Sequence, residues 1–278
     1  MPGDGLAIVA GRGDLPRLLA EDCARAGRPY RVVVFDGVPL DWTAAHPVLR
    51  AAFEKPGRLF ADLRAAGCGL VTFAGGMARP ELRPLRFDLK MLRLAPRLLG
   101  GLRSGDDATL RMIAGLFEAE GFAVRAPQEI LSDLVAPGGV LGRHAPDDQD
   151  RADAARAAEI VKALGAADVG QGAVVAGGIC LGLESIQGTD AMLDFVARTP
   201  AAVRPRGARG VLYKAPKPGQ DLRLDLPAIG PCTLERATAA GLAGVAVQAE
   251  AVMILGYAAT VAAADAAGLF LWGREAEA

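Results

Sequence analysis

The chain has 278 residues, 51% of them apolar and 23% charged, and its 31 basic and 32 acidic side chains leave a formal charge of −1. That length accommodates two ordinary domains or one large one, and near-neutrality argues against a general nucleic-acid binder, whose footprint is strongly basic. No apolar run approaches the ~20 residues of a membrane span, and the N-terminus is expected to run into a strand rather than a secretory leader.

In chain order, the apolar run at residues 6–10 ends at Gly11 and predicts a buried strand. Asp14 stands where a helix cap belongs, and Pro16 is tolerated in a first helical turn. Leu15, Leu18, Leu19 and Cys23 then recur at helical spacing up to Gly27. Residues 31–35 predict a second strand, 57–66 a helix and 70–74 a third strand. Asp106 or Asp107 caps a helix that runs through Glu120, with Gly121 as its stop, and residues 122–125 predict a fourth strand. Strand and helix alternate throughout, so residues 1–135 are expected to form a Rossmann-like α/β domain on a parallel sheet with right-handed crossovers.

Ala136-Pro137-Gly138-Gly139 and Ala145-Pro146 interrupt this pattern and mark the domain junction. Residues 147–164 predict an alanine-rich helix stopped by Gly165. Residues 173–176 and 179–184 predict two strands joined by a Gly177-Gly178 hairpin. Asp190 opens a helix over 191–198. Strands at 211–214 and 222–225, a helix at 233–240, strands at 245–247 and 252–255, a helix at 257–267 and a strand at 269–272 follow. Residues 136–278 are therefore expected to form a second α/β domain with a mixed sheet.

The densest chemistry lies in residues 214–230, KAPKPGQDLRLDLPAIG. Asp225 ends the alternating run Leu222-Arg223-Leu224-Asp225-Leu226, ahead of Pro227 and a glycine-containing loop. A carboxylate there sits at the mouth of a sheet, where ligands of open α/β sheets bind. Lys214 and Lys217 bring positive charge to the same mouth, and the combination suits metal-assisted chemistry on a phosphate ester. Glu184 at a strand end and Asp190 at a helix start can converge with Asp225 on a cation. In the bland alternative, Thr189 or Asp190 caps the helix and Glu184 faces water.

Other positions invite a ligand less specifically. Gly11-Arg12-Gly13-Asp14-Leu15-Pro16 resembles a dinucleotide fingerprint that lacks its last glycine, with Asp36 placed as a ribose-binding acid. Gly75-Gly76 follows the third strand, with Arg79 as the charged contact. Ser104-Gly105-Asp106-Asp107 precedes a helix, and Gly170-Gln171-Gly172 leads into a strand. Residues 79–103 carry Arg79, Arg83, Arg86, Lys90, Arg93, Arg97 and Arg103 against only Glu81 and Asp88. That segment is either a solvated helix face or a surface that meets phosphate or anionic lipid.

Cys23, Cys68, Cys180 and Cys232 lack CxxC spacing and predict reduced thiols in a cytosolic protein. His46 and His144 are too few for a histidine-based metal cluster or a readable Ser-His-Asp triad. Any divalent metal would then be held by oxygens, which favours Mg²⁺ or Mn²⁺.

Several of these stretches together resemble one family. The opening Leu6-Ala7-Ile8-Val9-Ala10-Gly11-Arg12-Gly13-Asp14-Leu15-Pro16 resembles the N-terminus of the bacterial UDP-2,3-diacylglucosamine pyrophosphatases of the two-domain α/β type. So do Gly105-Asp106-Asp107, Gly170-Gln171-Gly172-Ala173-Val174-Val175, Glu184-Ser185-Ile186-Gln187-Gly188-Thr189-Asp190, and Lys214-Ala215-Pro216-Lys217-Pro218 with Asp225-Leu226-Pro227-Ala228-Ile229-Gly230. The resemblance spans nearly the whole chain in order, and its C-terminal motifs are the specific ones. Gly219 is a departure, since relatives can carry a bulkier residue there.

The resemblance implies an enzyme of lipid A assembly that uses Mg²⁺ and water to split UDP-2,3-diacylglucosamine into UMP and 2,3-diacylglucosamine 1-phosphate (lipid X). It implies two α/β domains with the lipid held in a cleft between them. The essential aspartate of the family's DLPxIG segment falls on Asp225. The expected catalytic groups are Asp225, Lys214 and Lys217, and the expected metal ligands are Asp225, Asp190 and Glu184. Substrate contacts are expected at Gly11, Gly13, Asp14, Gly75, Arg79, Asp106, Asp107, Gln171, Gln187, Gly188 and Thr189. The protein would be cytoplasmic and peripheral at the anionic inner membrane, with no nucleic-acid partner, and a homodimer is compatible with the sequence. Two alternatives stay open: an NAD(P)-dependent oxidoreductase using the Gly11–Gly13 turn, and a non-enzymatic lipid-binding module.

Overall fold

The computed structural model describes residues 3–77, 82–94 and 106–276, without the side chains of residues 106–108 and 132. The chain divides into two compact units. One comprises residues 1–132 with Asp221–Asp225, and the other residues 133–220 with 226–278.

In the first unit, β1 (Gly5–Ala10), β2 (Tyr30–Phe35), β3 (Val48–Ala51), β4 (Cys68–Ala74) and β5 (Ala123–Val124) form one sheet in the order β3-β2-β1-β4-β5. Every pairing is parallel. β1 is buried along its whole length, as befits a central strand covered on both faces. Strand residues alternate between the faces. Ala7, Val9, Val33 and Val71 pack with Leu59, Phe60 and Leu63 of α2 (Pro56–Ala65) and with Ala114 and Phe117 of α3 (Asp106–Ala119). The intervening Leu6, Ile8 and Val32 are fully buried on the other face. α1 (Leu15–Arg25) packs against β1 and β2, and a single helical turn, α4 (Pro127–Ile130), ends the unit's main run. The strand order reverses between β1 and β4, which makes the carboxyl ends of these two strands a topological switch point.

The second unit contains β6 (Gly139–Val140), α5 (Asp148–Ala166), β7 (Gly172–Ala176), β8 (Ile179–Leu183), α6 (Gly188–Ala197) and β9 (Val211–Lys214). It continues with β10 (Ala228–Ile229), α7 (Pro231–Ala239), β11 (Gly244–Gln248), β12 (Met253–Ile254), α8 (Tyr257–Ala267) and β13 (Phe270–Arg274). Six strands form a sheet in the order β6-β13-β11-β9-β7-β8. β9, β11 and β13 are parallel; β7 runs antiparallel to β9 and β8, and β6 to β13. The sheet is therefore mixed, as the glycine hairpin predicts. β10 and β12 make a separate parallel pair. Leu212 packs with Met192, Leu193, Leu234 and Ala264 of α6, α7 and α8, whereas Val211 and Tyr213 pack with Ala154, Ala157 and Val161 of α5. The unit is thus three layers deep, with helices on both faces of the sheet.

Three local expectations are corrected. Gly165 does not stop α5; it is buried inside the last turn, where a Cβ would lie 2.7 Å from Pro218 Cδ and 3.1 Å from Lys217 Cα. Its role is to let the lysine-proline loop lie close on the helix. Asp14 occupies the N-cap position of α1 but makes no capping bond, because its carboxylate pairs with Arg17 at 3.3 Å. Residues 222–225 are not a strand. They form a turn in which the Leu224 amide donates to the Asp221 carbonyl at 3.0 Å. Arg223 bonds the Asp221 carboxylate and reaches Glu118 at 2.9 Å, and Leu224 enters the first unit's core. These contacts give Asp221–Asp225 to the first unit, which a division at 135/136 does not anticipate.

Candidate functional site

The lysine at the end of β9 is nearly inaccessible, 5% exposed, and so is Glu184 at 7%. Lys214 Nζ donates to the Thr189 hydroxyl at 2.7 Å and to the Ala228 carbonyl at 3.2 Å, and lies 3.9 Å from Glu184 Oε2. The Thr189 hydroxyl in turn donates to Glu184 Oε2 at 3.0 Å. The sequence folds this way because β7 and β8 are antiparallel: the Glu184 amide donates to the Gly172 carbonyl at 2.9 Å, which brings the end of β8 beside the start of β7. Gly172 leaves room for the carboxylate, since a Cβ there would lie 2.4 Å from Glu184 Oε2. Thr189 sits in the first turn of α6, which starts at Gly188. Neither Thr189 nor Asp190 caps that helix: the N-cap is Gln187, with no side-chain cap bond.

The other predicted positions of this unit have their own partners. Lys217 Nζ donates to Asp168 at 2.6 Å, on the loop between α5 and β7. Exposed Asp190 lies 3.4 Å from Arg236 of α7, whose guanidinium also bonds Asp194. Those acids raise the Arg236 pKa, the hydrogen bond to Asp194 most of all. Gln187 accepts from the Ser185 hydroxyl. The Gln171 backbone carbonyl accepts from the Ala215 amide at 3.1 Å, while its buried side-chain oxygen has no donor among the described residues.

Asp225 is exposed between two buried leucines, Leu224 and Leu226. Downstream of it, the Pro227 carbonyl accepts from the Met253 amide at 2.8 Å and the Ile229 carbonyl from the Leu255 amide at 2.9 Å. The acid therefore leads directly into a segment fixed in the second unit's framework.

In the first unit, Gly11 and Gly75 meet at the switch point. The Arg12 amide donates to the Gly76 carbonyl at 2.7 Å and the Gly76 amide to the Arg12 carbonyl at 3.0 Å. A Cβ on Gly11 would lie 2.5 Å from the Gly75 carbonyl oxygen. Packing of the two loops on each other accounts for these glycines without a ligand. Gly13 and Asp14 lie beyond this bridge, at the start of α1. Arg79 lies outside the described residues, as do the side chains of Asp106 and Asp107, whose backbone opens α3.

Among the described residues no three His, Cys, Asp or Glu side chains are grouped so as to hold a metal ion. Glu184 is committed to Thr189 and Lys214, and Asp190 to Arg236. Mg²⁺ is commonly held by one or two carboxylates with waters and substrate phosphates completing its shell. The exposed Asp225 carboxylate fits that manner of binding, and a closed protein cage is not needed.

Three partners are ones that sequence reasoning missed: Ala228, Asp168 and Arg236. Ala228 acts through its backbone, so no side-chain signal announces it. The two charged residues lie outside the motifs.

The sequence matches the family model described as the LpxI N-terminal domain over residues 5–134 and that of the LpxI C-terminal domain over residues 137–272. It is also 41% identical, over 270 residues covering 96% of each chain, to a protein of Caulobacter vibrioides named UDP-2,3-diacylglucosamine pyrophosphatase LpxI.

Proposed function

We propose, from the premise that this chain belongs to the LpxI family, that it hydrolyses the diphosphate of UDP-2,3-diacylglucosamine in lipid A synthesis. The observation that carries this reading is the end-to-end match, which includes both family domains in order and a named relative at 41% identity. In the reaction, water attacks one phosphorus and the P–O–P bond breaks, giving UMP and 2,3-diacylglucosamine 1-phosphate.

Negative charge builds on phosphoryl oxygens as water attacks, and groups aimed at that charge lower the barrier. A bound Mg²⁺ or Mn²⁺ would supply most of this, neutralising diphosphate oxygens. Asp225 is the residue that would hold it or orient the water. Lys217 is a basic side chain of the same segment that, unlike Lys214, retains some solvent access: its side chain is 20% exposed and its ammonium is paired with Asp168. The amides opening α1, near Gly13 and Asp14, provide an anion-favouring end at the first unit's switch point.

The substrate carries acyl chains, so the enzyme has to meet a membrane. Among the described residues no helix is long and apolar enough to cross one. Leu85, Leu89 and Leu92 are exposed alongside exposed Arg83, Arg86 and Arg93. Apolar side chains among arginines suit an anionic lipid surface. We read the protein as a cytoplasmic enzyme that works peripherally at the inner membrane.

The test is a substrate panel followed by mass spectrometry. UMP released from UDP-2,3-diacylglucosamine, with little from the unacylated UDP-sugar, supports the reading. Equal release from both would show a general nucleotide-sugar hydrolase, and no release from either would overturn it.

A further inference from the structure

Lys214 is an unusual place for a phosphate contact. Its ammonium is buried and lies beside the first turn of α6, the positive end of that helix dipole. Burying a charge there is costly unless it is paired and hydrogen-bonded. Glu184 and Thr189 supply the pairing, at 3.9 and 2.7 Å. Such buried networks contribute little net stability compared with an apolar core, so stability alone does not account for this one. The contact with Ala228 supplies a reason. Lys214 reaches the carbonyl of Ala228 at 3.2 Å, three residues after Asp225. The same short segment is tied to the Met253 amide through Pro227 and to the Leu255 amide through Ile229.

We infer that Glu184, Thr189 and Lys214 form a buried clamp that grips the Ala228 carbonyl and so positions Asp225, which makes Lys214 a positioning residue rather than a phosphate contact. The order of the clamp follows from its chemistry. Glu184 orients the Thr189 hydroxyl, which presents its lone pairs to Lys214, and the ammonium turns its donors toward the loop. Gly172 is small because the carboxylate needs its space. The inference rests on the reading of Asp225 as the acid of diphosphate hydrolysis.

The experiment compares Lys214→Met and Thr189→Val with the wild type, because the hydroxyl deletion keeps the shape of the site should the lysine variant fold poorly. It measures kcat and KM for UDP-2,3-diacylglucosamine and hydrogen exchange of residues 226–230. A clamp predicts that kcat falls about 10²-fold, as displacement of a reacting group by roughly 1 Å does. KM stays within about twofold of the wild type, since no substrate contact is removed. Exchange over 226–230 rises in both variants. A raised KM with unchanged kcat would overturn the inference and make Lys214 a substrate ligand. A fall in kcat with unchanged exchange would also overturn it, as would variants indistinguishable from the wild type. A folded wild type that releases no UMP would instead overturn the reading of the reaction, and the exchange data would still decide whether the clamp holds the loop.

Discussion

Thr189 and Lys214 meet side chain to side chain at 2.7 Å, so a threonine in the first turn of a helix is turned inward to a lysine at the end of a strand rather than back to cap its own helix. Glu184, just past the end of β8 and two strands away across β7, completes the contact. Removing one member of such a pair strands the other's charge in the interior. Glu184→Ala is expected to destabilise the protein by about 3–5 kcal/mol, and Glu184→Gln by less, because the amide oxygen still accepts from Thr189. Urea denaturation checks this, and equal stability of both variants with the wild type would show that the pair is not held as described.

Leu224 carries the Asp221–Asp225 turn into the first unit's core. Truncation to alanine there removes buried apolar contacts and leaves a cavity. Leu224→Ala should cost about 2–5 kcal/mol. The loss should register in unfolding of residues 3–132, and a protein as stable as the wild type would contradict the assignment of this turn to that core.

The loops after β1 and β4 leave no room for a side chain at Gly11, and the obstruction is backbone. Gly11→Ala should destabilise by about 1–3 kcal/mol through overpacking, with a lowered Tm and without any ligand present. An unchanged Tm, with loss of substrate affinity alone, would transfer the glycine from a packing role to a binding one.

Much of the fold is legible in the sequence because the central strands are buried runs and several helices are followed closely by a glycine, as at Gly27, Gly67, Gly121, Gly241 and Gly268. What escapes is instructive. β3 has only Ala51 buried and lies at the edge of its sheet, so neither alternation nor an apolar run marks it. The run from Leu222 to Leu226 does alternate, but its leucines belong to two different units, and Arg223 bends the chain through Asp221. Periodicity reports which side chains are buried and not what buries them. In the candidate site, Glu184, Thr189 and Lys214 are legible as chemistry-bearing positions. Their mutual bonds are not, because they depend on the register of β7 against both β8 and β9 and on a backbone carbonyl.

Acid should loosen the first unit in a defined way. Hydrogen bonds from Lys90 and then Arg64 hold the Glu120 carboxyl below its ordinary value of 4.5, and Arg223 holds Asp221 below 3.8. A carboxylate whose folded pKa is depressed contributes stability in full above its unfolded value, and that contribution is lost as pH falls through the folded one. The Tm should therefore hold steady from neutrality to about pH 5 and decline below about pH 4.5 on this account. Glu120→Gln should flatten part of that decline, and an identical acid limb in the variant would show that these bonds are not made.

The exposed leucines at 85, 89 and 92 offer a separate test of the lipid surface. Replacing all three by serine should leave the Tm near the wild-type value and reduce cosedimentation with vesicles of anionic phospholipid. Undiminished cosedimentation would place the membrane contact elsewhere on the protein.

The central claim is that Asp225 serves metal-assisted hydrolysis of an acylated nucleotide diphosphate. It is tested most directly by following UMP release from UDP-2,3-diacylglucosamine in Mg²⁺ and in excess chelator, for the wild type and for Asp225→Asn. The account predicts rapid release by the wild type in Mg²⁺, its loss on chelation with recovery when Mg²⁺ is restored, and a fall of about 10²-fold or more in kcat for a folded Asp225→Asn protein. Full turnover by Asp225→Asn, or turnover indifferent to chelation, would contradict it.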